Sequence, residues 1–169
     1  GFYVAGESNS NYIQTALSMS SSLNMDYVQT MIAEDESLEN RLALVDAIHH
    51  SEVRRILAGQ GYQLVSFQNS YKVAIPDAEV YYDDTNKGLG RPVTAFEGIL
   101  IEQSMMRVLL SLPVFKEFFI EAPYDAHREQ ILSTYERLQG IPMLDGNYFV
   151  YAHIIAPHPP FVFGADGEI

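Results

Sequence analysis

Two histidines and one threonine are the residues of this sequence whose types and positions could support chemistry. His153 lies within the apolar run "FVYAHII", and His158 follows between prolines in "APHPP". An imidazole can serve as a metal ligand, a proton carrier or a hydrogen-bond donor to phosphate. Because side chains alternate along a strand, positions five apart face opposite ways unless the proline-rich turn redirects His158. The competing interpretation makes His153 a core histidine bonded to a backbone carbonyl and His158 a surface loop residue.

Thr15 lies in the polar segment "NYIQTALSMSSSLN", where we expect a helix to begin near Thr15, with Thr15 or a neighbour at the N-cap. Backbone N–H groups and the dipole at the start of a helix favour an anion. A threonine there could attack phosphorus or sulfur if a cation stabilised its alkoxide. The alternative is that Thr15 only caps the helix. The serines that follow are poor helix formers, so this helix needs support from the rest of the fold.

The other histidines are expected to be ordinary surface residues. His49 and His50 lie in a helical segment between charged turns, which is typical of a solvated face. His127 comes at the start of a later helix and is expected to be exposed. Arg91 and Arg107 could reach an anion, but their expected role is at the surface or in packing.

The elements that must position these residues alternate between helix and strand. Residues 37–61 have helical periodicity, with Leu42, Val45 and Ile48 on one face, and glycines at 59 and 61 end the helix. The strand "YQLVSF" follows at once, and a helix over 122–140 is followed by the strand "YFVYAHII". This order predicts an α/β protein with a parallel sheet. Ligands bind beyond the carboxyl ends of such strands, which puts His158 at a favourable place and His153 near mid-strand.

The remaining segments are predicted to complete one domain over residues 1–169. A short strand is expected at 2–5. Residues 68–140 form an excursion between two sheet strands, loop-like to about 92 and then helical over 94–111, 114–120 and 122–140. The apolar stripe of the last helix is expected to include Ile131, Leu132, Tyr135 and Leu138.

Composition and charge exclude several classes of protein. The chain has 169 residues, 47% of them hydrophobic, which is enough for a folded core. A net charge of -12 argues against a nucleic-acid partner, because phosphates would be repelled. The sequence has no cysteine, so disulfides, thiolate metal sites and cysteine nucleophiles are excluded. It has no run of about 18 apolar residues, so we expect a soluble chain. The chain opens on "GFYV", which is typical of the middle of a sequence, and stops in a turn just after the histidine motif. We therefore expect a fragment of a longer protein.

Two of these segments resemble parts of a known enzyme family. "TALS", residues 15–18, is similar to the nucleophile segment of the alkaline phosphatase/sulfatase superfamily, where a threonine, a small residue, an apolar residue and serine open a helix. Leu57, Gly61 and Tyr62 stand at the positions of its "L-x-x-x-G-Y" pattern, in which a helix runs into a strand. The resemblance is closest to membrane-anchored phosphoethanolamine transferases and lipoteichoic-acid-synthase-like members.

The histidine segment resembles a late strand of the same superfamily. The phosphoethanolamine transferases have two histidines with the separation of His153 and His158. In the synthase-like members a His-Pro-Phe type end contacts the substrate phosphate. The matching segments occur in the same order as in the family, from about residue 2 to 163. The stretch from about 68 to 140 has no assigned motif. The best overall match is to bacterial sulfatase-like proteins with an N-terminal membrane region.

The resemblance implies a fold and a set of site residues. The fold would be a three-layer sandwich around a mostly parallel sheet, with residues 1–169 forming part of an alkaline-phosphatase-like catalytic domain. Thr15 would be the nucleophile and a ligand of a divalent zinc or manganese ion. His153 and His158 would bind the substrate phosphate or sulfate, or a second metal. The other family ligands, an acidic residue before Gly1 and an Asp-His pair after Ile169, are expected outside this chain. We therefore expect the chain alone to be inactive and to bind no metal.

The implied function is that of a metal-dependent hydrolase or phospho-head-group transferase. Its substrates would be phosphate or sulfate esters, with lipids and cell-envelope compounds as candidates. The parent protein would be anchored at the extracytoplasmic face of a bacterial membrane. Hydrolysis or transfer, phosphate or sulfate, and the oligomeric state stay open. The alternative is a non-catalytic α/β binding module of the same fold that has lost the metal site.

Overall fold

The helices and strands of this chain come from a computed structural model that describes residues 6–31, 41–69, 73–83, 100–101, 103–117, 122–159 and 161–168. The α-helices are α1 Thr15–Asn24, α2 Val28–Met31, α3 Arg41–His49, α4 Glu52–Gly59, α5 Pro113–Lys116 and α6 Ala122–Gly140. Short 3-10 helices cover Met105–Ser111 and Ile141–Met143, and the strands are β1 Gln63–Phe67, β2 Val80–Tyr82 and β3 Tyr148–Tyr151. Across these ranges, none of the helices combines the length and apolar character that a bilayer crossing needs.

The strands form one small parallel sheet in the order β2-β1-β3. β1 pairs with β3 from Gln63 opposite Tyr148 to Ser66 opposite Tyr151. The central strand β1 is buried from its second residue to its last, because a strand between two neighbours in a parallel sheet is covered on both faces. The predicted α/β class with a parallel sheet is therefore confirmed.

The chain divides into two compact units. The first unit comprises Gly1–Ser66, Ser70–Tyr81 and Gly146–Tyr151, and the second comprises Phe67–Asn69, Tyr82–Asp145 and Ala152–Ile169. The assignment of residues 1–169 to one domain stays a prediction.

The core of the first unit lies between the sheet and its first helices. Its buried residues are Ile48, Leu64, Val73, Ile75 and Tyr151. Met19 and Leu23 of α1 pack against this cluster, and α1 also contacts α3 and α4. These contacts supply the support that the serine-rich helix α1 needs, since its own residues are poor helix formers.

Side-chain hydrogen bonds connect β1 to the segment between β1 and β2. The N–H of Ile75 donates to Oγ of buried Ser66 at 2.9 Å. The N–H of Leu64 donates to a carboxylate oxygen of Glu79 at 2.7 Å, immediately before β2 begins. The prediction of a loop over 68–92 is wrong at β2, which is too short to show a strand pattern in the sequence.

The helical segment 37–61 is two helices instead of one, and its residues 37–40 lie outside the described ranges. α3 ends at His49 and α4 begins at Glu52, with Ser51 in an extended conformation as N-cap. Serine at an N-cap is a common start for a new helix. α4 ends at Gly59 and Gly61 has a φ of +83°, so the predicted glycine stop is confirmed.

The apolar faces of two helices differ from the predicted ones. In α3 the buried residues are Leu44 and Ile48, while Leu42 is 79% exposed. α6 ends at Gly140 as predicted, but Leu132 and Tyr135 are exposed. The predicted strand at 2–5, and the helical predictions for 94–99 and 118–120, lie outside the described ranges.

Leu44→Ala should destabilise the chain far more than Leu42→Ala. Both leucines lie in α3, but Leu44 is 1% exposed and Leu42 is 79% exposed. Removing the buried side chain leaves a cavity and should lower the free energy of unfolding by about 2–5 kcal/mol. The exposed change should stay within about 0.5 kcal/mol. Urea unfolding followed by circular dichroism measures both, and equal losses would contradict the assignment of the buried face.

Candidate functional site

Thr15 is the first residue of α1. Gln14 is the N-cap, with φ -86° and ψ 137°, and its side chain makes no capping hydrogen bond. The N–H of Ser18 donates to the carbonyl of Gln14 at 2.9 Å. The predicted helix start is confirmed, with the neighbour Gln14 as the N-cap, and the alternative in which Thr15 itself only caps the helix is wrong. Its role as nucleophile stays a prediction.

Polar side chains fix the segment that leads into α1. Oγ of Ser10 lies 2.6 Å from Oγ of Ser18. The hydroxyl of Tyr12 donates to Gln29 at 2.6 Å and accepts from the N–H of Val28 at 3.0 Å. This segment is thereby bound to both α1 and α2, so the start of α1, and with it Thr15, has a defined position in the first unit.

His153 lies just beyond β3, which ends at Tyr151. The prediction of a mid-strand position is wrong, because backbone pairing stops before the apolar run does. The side chain is half-buried, and this burial lowers the pKa of His153 below its ordinary value. The ring is therefore neutral at pH 7.

His158 lies on the surface of the second unit. Its side chain is exposed, and Nδ1 donates to the carbonyl of Pro159 at 2.6 Å. The peptide bond between Ala156 and Pro157 is cis. The surface position agrees with the interpretation of His158 as a loop residue, while its role in substrate binding stays a prediction.

A small polar recess in the second unit contains His153. Its polar lining residues are Gln68, Asn69, His127, Gln130, Thr134 and His153. Three isoleucines, at 131, 154 and 155, complete the lining. His158 does not contribute to this lining, so the structure gives His153 a different histidine neighbour from the one predicted by the five-residue spacing.

Helix α6 and two strand-end segments build this recess. His127, Gln130, Ile131 and Thr134 have the spacing i, i+3, i+4 and i+7, so they lie on one face of α6. The other lining residues lie within four positions after the last residue of β1 or β3. Nε2 of Gln130 donates to the carbonyl of Gln68 at 2.8 Å, which holds α6 against the segment after β1.

His127 is the residue of this recess that sequence reasoning missed. It was expected to be exposed, but it is half-buried, and its Nε2 is buried without a hydrogen-bond partner among the described residues. The next residue, Arg128, donates from Nε to the carbonyl of Val162 at 3.0 Å and from Nη1 to Asp125 at 2.6 Å. The helical spacing of His127 with Gln130 and Thr134 is the signal that could have found it.

His49 and His50 were both predicted to lie on a solvated face, and only one of them does. His50 is exposed and lies 3.0 Å from Asp46, so its predicted solvated position is confirmed. His49 is half-buried, with Nε2 2.7 Å from the carbonyl of Ala74, so its predicted solvated position is wrong. Helical periodicity did not show that the segment after β1 returns to cover this side of α3. Arg107 is exposed as expected, and Arg91 lies outside the described ranges.

The predicted site residues fall into both units. Thr15 belongs to the first unit, and His153 and His158 belong to the second. Over the described ranges, no three or more of the histidine, aspartate and glutamate side chains are grouped so that they could hold a metal ion. The residues around Thr15 in this part of the chain therefore do not supply the ligand set of the implied zinc or manganese ion.

Comparisons of the chain with protein families, with curated proteins and with solved structures find no match. The resemblance to the alkaline phosphatase/sulfatase superfamily therefore rests on the quoted motifs alone.

The His153 imidazole should titrate below pH 6.5, because burial disfavours its charged form. The pKa of His153 is lower in the folded state than in the unfolded state. Its contribution to the free energy of unfolding is therefore fully present above pH 6.5 and is lost as the pH falls through the folded-state pKa. An NMR titration of the imidazole resonances, assigned with His153→Gln, measures the midpoint. A midpoint at or above 6.5 would contradict the burial of this ring. The melting temperature should also fall less on acidification in His153→Gln than in the unchanged chain.

Proposed function

We propose that this chain belongs to the catalytic domain of a metal-dependent sulfatase-like hydrolase or phospho-head-group transferase. It would act on phosphate or sulfate esters through Thr15 as nucleophile. The observation that carries this proposal is the position of Thr15 as the first residue of α1, after an N-cap whose side chain makes no capping bond. The three-layer arrangement of an alkaline-phosphatase-like domain belongs to the same proposal.

The start of α1 offers the chemistry that this reaction needs. The N–H groups of the first helical turn have no acceptor within the helix, and the helix dipole favours negative charge there. Both effects stabilise an oxyanion, whether it is the threonine alkoxide or the oxygens of a phosphate or sulfate group. A hydroxyl at this place is therefore better suited to attack phosphorus or sulfur than one on an exposed helix face.

The reaction would proceed in two displacements. Oγ1 of Thr15 loses its proton and forms a bond to phosphorus or sulfur, while the bond to the ester oxygen breaks and the leaving alcohol takes up a proton. Water, or the hydroxyl of an acceptor head group, then takes the group from Thr15 and restores the threonine hydroxyl. Water gives a hydrolase and an acceptor alcohol gives a transferase.

The positions of the two sheet segments named in the resemblance support the proposal. "YQLVSF" and "YFVYAHII" contain β1 and β3, which are neighbouring parallel strands. His153 and His158 follow β3, and ligands of parallel sheets bind beyond the carboxyl ends of the strands. Their proposed role is to contact the substrate phosphate or sulfate, or a second metal ion.

The proposal requires metal ligands that this chain does not supply among its described residues. A bound zinc or manganese ion would favour the alkoxide form of the threonine. The ligands would come from acidic and histidine residues elsewhere in the full-length protein. By the same resemblance, that protein would be anchored at the extracytoplasmic face of a bacterial membrane, with a lipid or cell-envelope ester as its candidate substrate, and this chain alone would be inactive.

Thr15→Ala in the full-length protein that contains this chain should abolish turnover of aryl phosphate or aryl sulfate esters. Loss of the nucleophile should lower kcat/KM by at least about a thousandfold, whereas Thr15→Ser should keep part of the activity. Activity should disappear with a chelator and return with zinc or manganese. Mass spectrometry of the quenched reaction should find the phosphoryl or sulfuryl group on Thr15.

Thr30→Ala is the matched control for Thr15→Ala. Thr30 is an exposed threonine of the neighbouring helix α2, and its hydroxyl donates to the carbonyl of Tyr27, the residue before that helix. Its loss should leave kcat/KM within about twofold, as for most surface changes. Turnover that survives Thr15→Ala would refute the nucleophile, and a metal-loaded protein without any turnover would favour the non-catalytic binding module.

A further inference from the structure

The recess beside His127 and His153 has room for a single small ligand. The centre of a water-sized molecule can occupy about 10 Å³ of it. A cavity of roughly this size holds one water molecule. A tetrahedral phosphate or sulfate is much larger than water, so the recess in this form fits one water molecule or one metal ion, and not an ester group.

Two histidines line this space. Nε2 of His127 is buried and has no hydrogen-bond partner among the described residues. A buried polar nitrogen without a partner destabilises the fold unless a ligand takes it. His153 lines the same recess from the segment after β3. One small ligand at this place can therefore be bound by imidazoles from two separate elements of the second unit.

Neutral oxygen atoms complete the set of donors. The hydroxyl of Thr134 donates to the carbonyl of Gln130 at 2.9 Å and keeps lone pairs on its oxygen. Nε2 of Gln130 is used by the carbonyl of Gln68, which leaves the amide oxygen of Gln130 as an acceptor. Both residues line the recess together with His127 on one face of α6.

The chemistry of these donors selects a class of metal ion. Among the described residues, the lining contains no carboxylate and no cationic side chain. Magnesium and calcium need carboxylate oxygens, whereas imidazole suits zinc, copper and nickel. The net charge of -12 favours the approach of a cation.

We propose that His127 and His153 form a binding site for one divalent transition-metal ion such as Zn²⁺. The two imidazole nitrogens are the protein ligands, and water with the neutral oxygens of Thr134 and Gln130 fills the remaining positions. The site lies entirely within the second unit and does not depend on Thr15. For His153 it takes the metal-ion alternative of the role proposed above, without contact to the ester.

Zinc titration of the whole chain by calorimetry near neutral pH tests this site. The chain should bind one zinc ion, and His127→Gln and His153→Gln should each weaken the binding at least tenfold. This follows because the loss of even an outer-shell partner of a metal site weakens binding by about 10–100-fold. Glutamine keeps a polar side chain of similar length but lacks the imidazole nitrogen.

His50→Gln is the matched control, since it removes an exposed histidine that has no proposed role in binding. It should not change the zinc affinity. Thr15→Ala should leave it unchanged as well, so that a failure of this site and a failure of the proposed reaction are distinguishable. Zinc binding that survives both recess variants, or that is lost in His50→Gln, overturns the site. Absence of zinc binding by the unchanged chain also overturns it and means that the recess holds only water.

Nitrogen NMR of the imidazoles in the unchanged chain gives a second test that does not depend on whether the variants fold. Zinc should shift the ring nitrogens of His127 and His153 together and leave those of His50 in place. Shifts confined to the exposed histidines would contradict the proposal.

Discussion

Residues Gln63–Ser66 of β1 pair in parallel with Tyr148–Tyr151 of β3. This pairing constrains the connection between the two strands and the segments that follow them. Parallel neighbours cannot be joined by a hairpin, so the long intervening segment must leave one end of β1 and return to the other. Because both strands run the same way, the segments that follow them leave from the same edge of the sheet. Those two segments and α6 supply the residues of the polar recess.

The parts of the fold that the sequence predicts well have strong local signals. The ends of α4 and α6 coincide with glycines, and β1 and β3 are runs of strand-forming residues after those glycines. The break between α3 and α4 has only Ser51 as a signal, and β2 has three residues with no period to detect. The exposed position of Leu42 shows a further limit, because periodicity defines a face of a helix but not the surface on which it packs.

The candidate site shows the same division between local and long-range information. The polar residues before Thr15 were enough to predict where α1 begins. The five-residue spacing of His153 and His158 suggested a pair, but His153 lines a recess with His127, which is far away in the sequence. The sequence could not show this neighbour, because it depends on how α6 docks on the segments after two strands. Metal ligands and substrate contacts depend on such docking in most proteins, so single motifs locate them poorly.

The hydrogen bond from the N–H of Leu64 to the carboxylate of Glu79 also affects whether other chains can pair with this sheet. Successive N–H groups of a strand point to opposite sides, and that of Gln63 donates to the carbonyl of Asn147 on the β3 side. The N–H of Leu64 thus points to the side of β1 on which β2 lies. At this position along β1 the acceptor is the side chain of Glu79, the residue before β2 begins. An uncovered backbone donor there would invite strand addition from another molecule, the first step of edge-to-edge aggregation. Because the Glu79 carboxylate accepts this hydrogen bond, the N–H of Leu64 is not available for pairing with a strand of another molecule, although β2 does not extend to it.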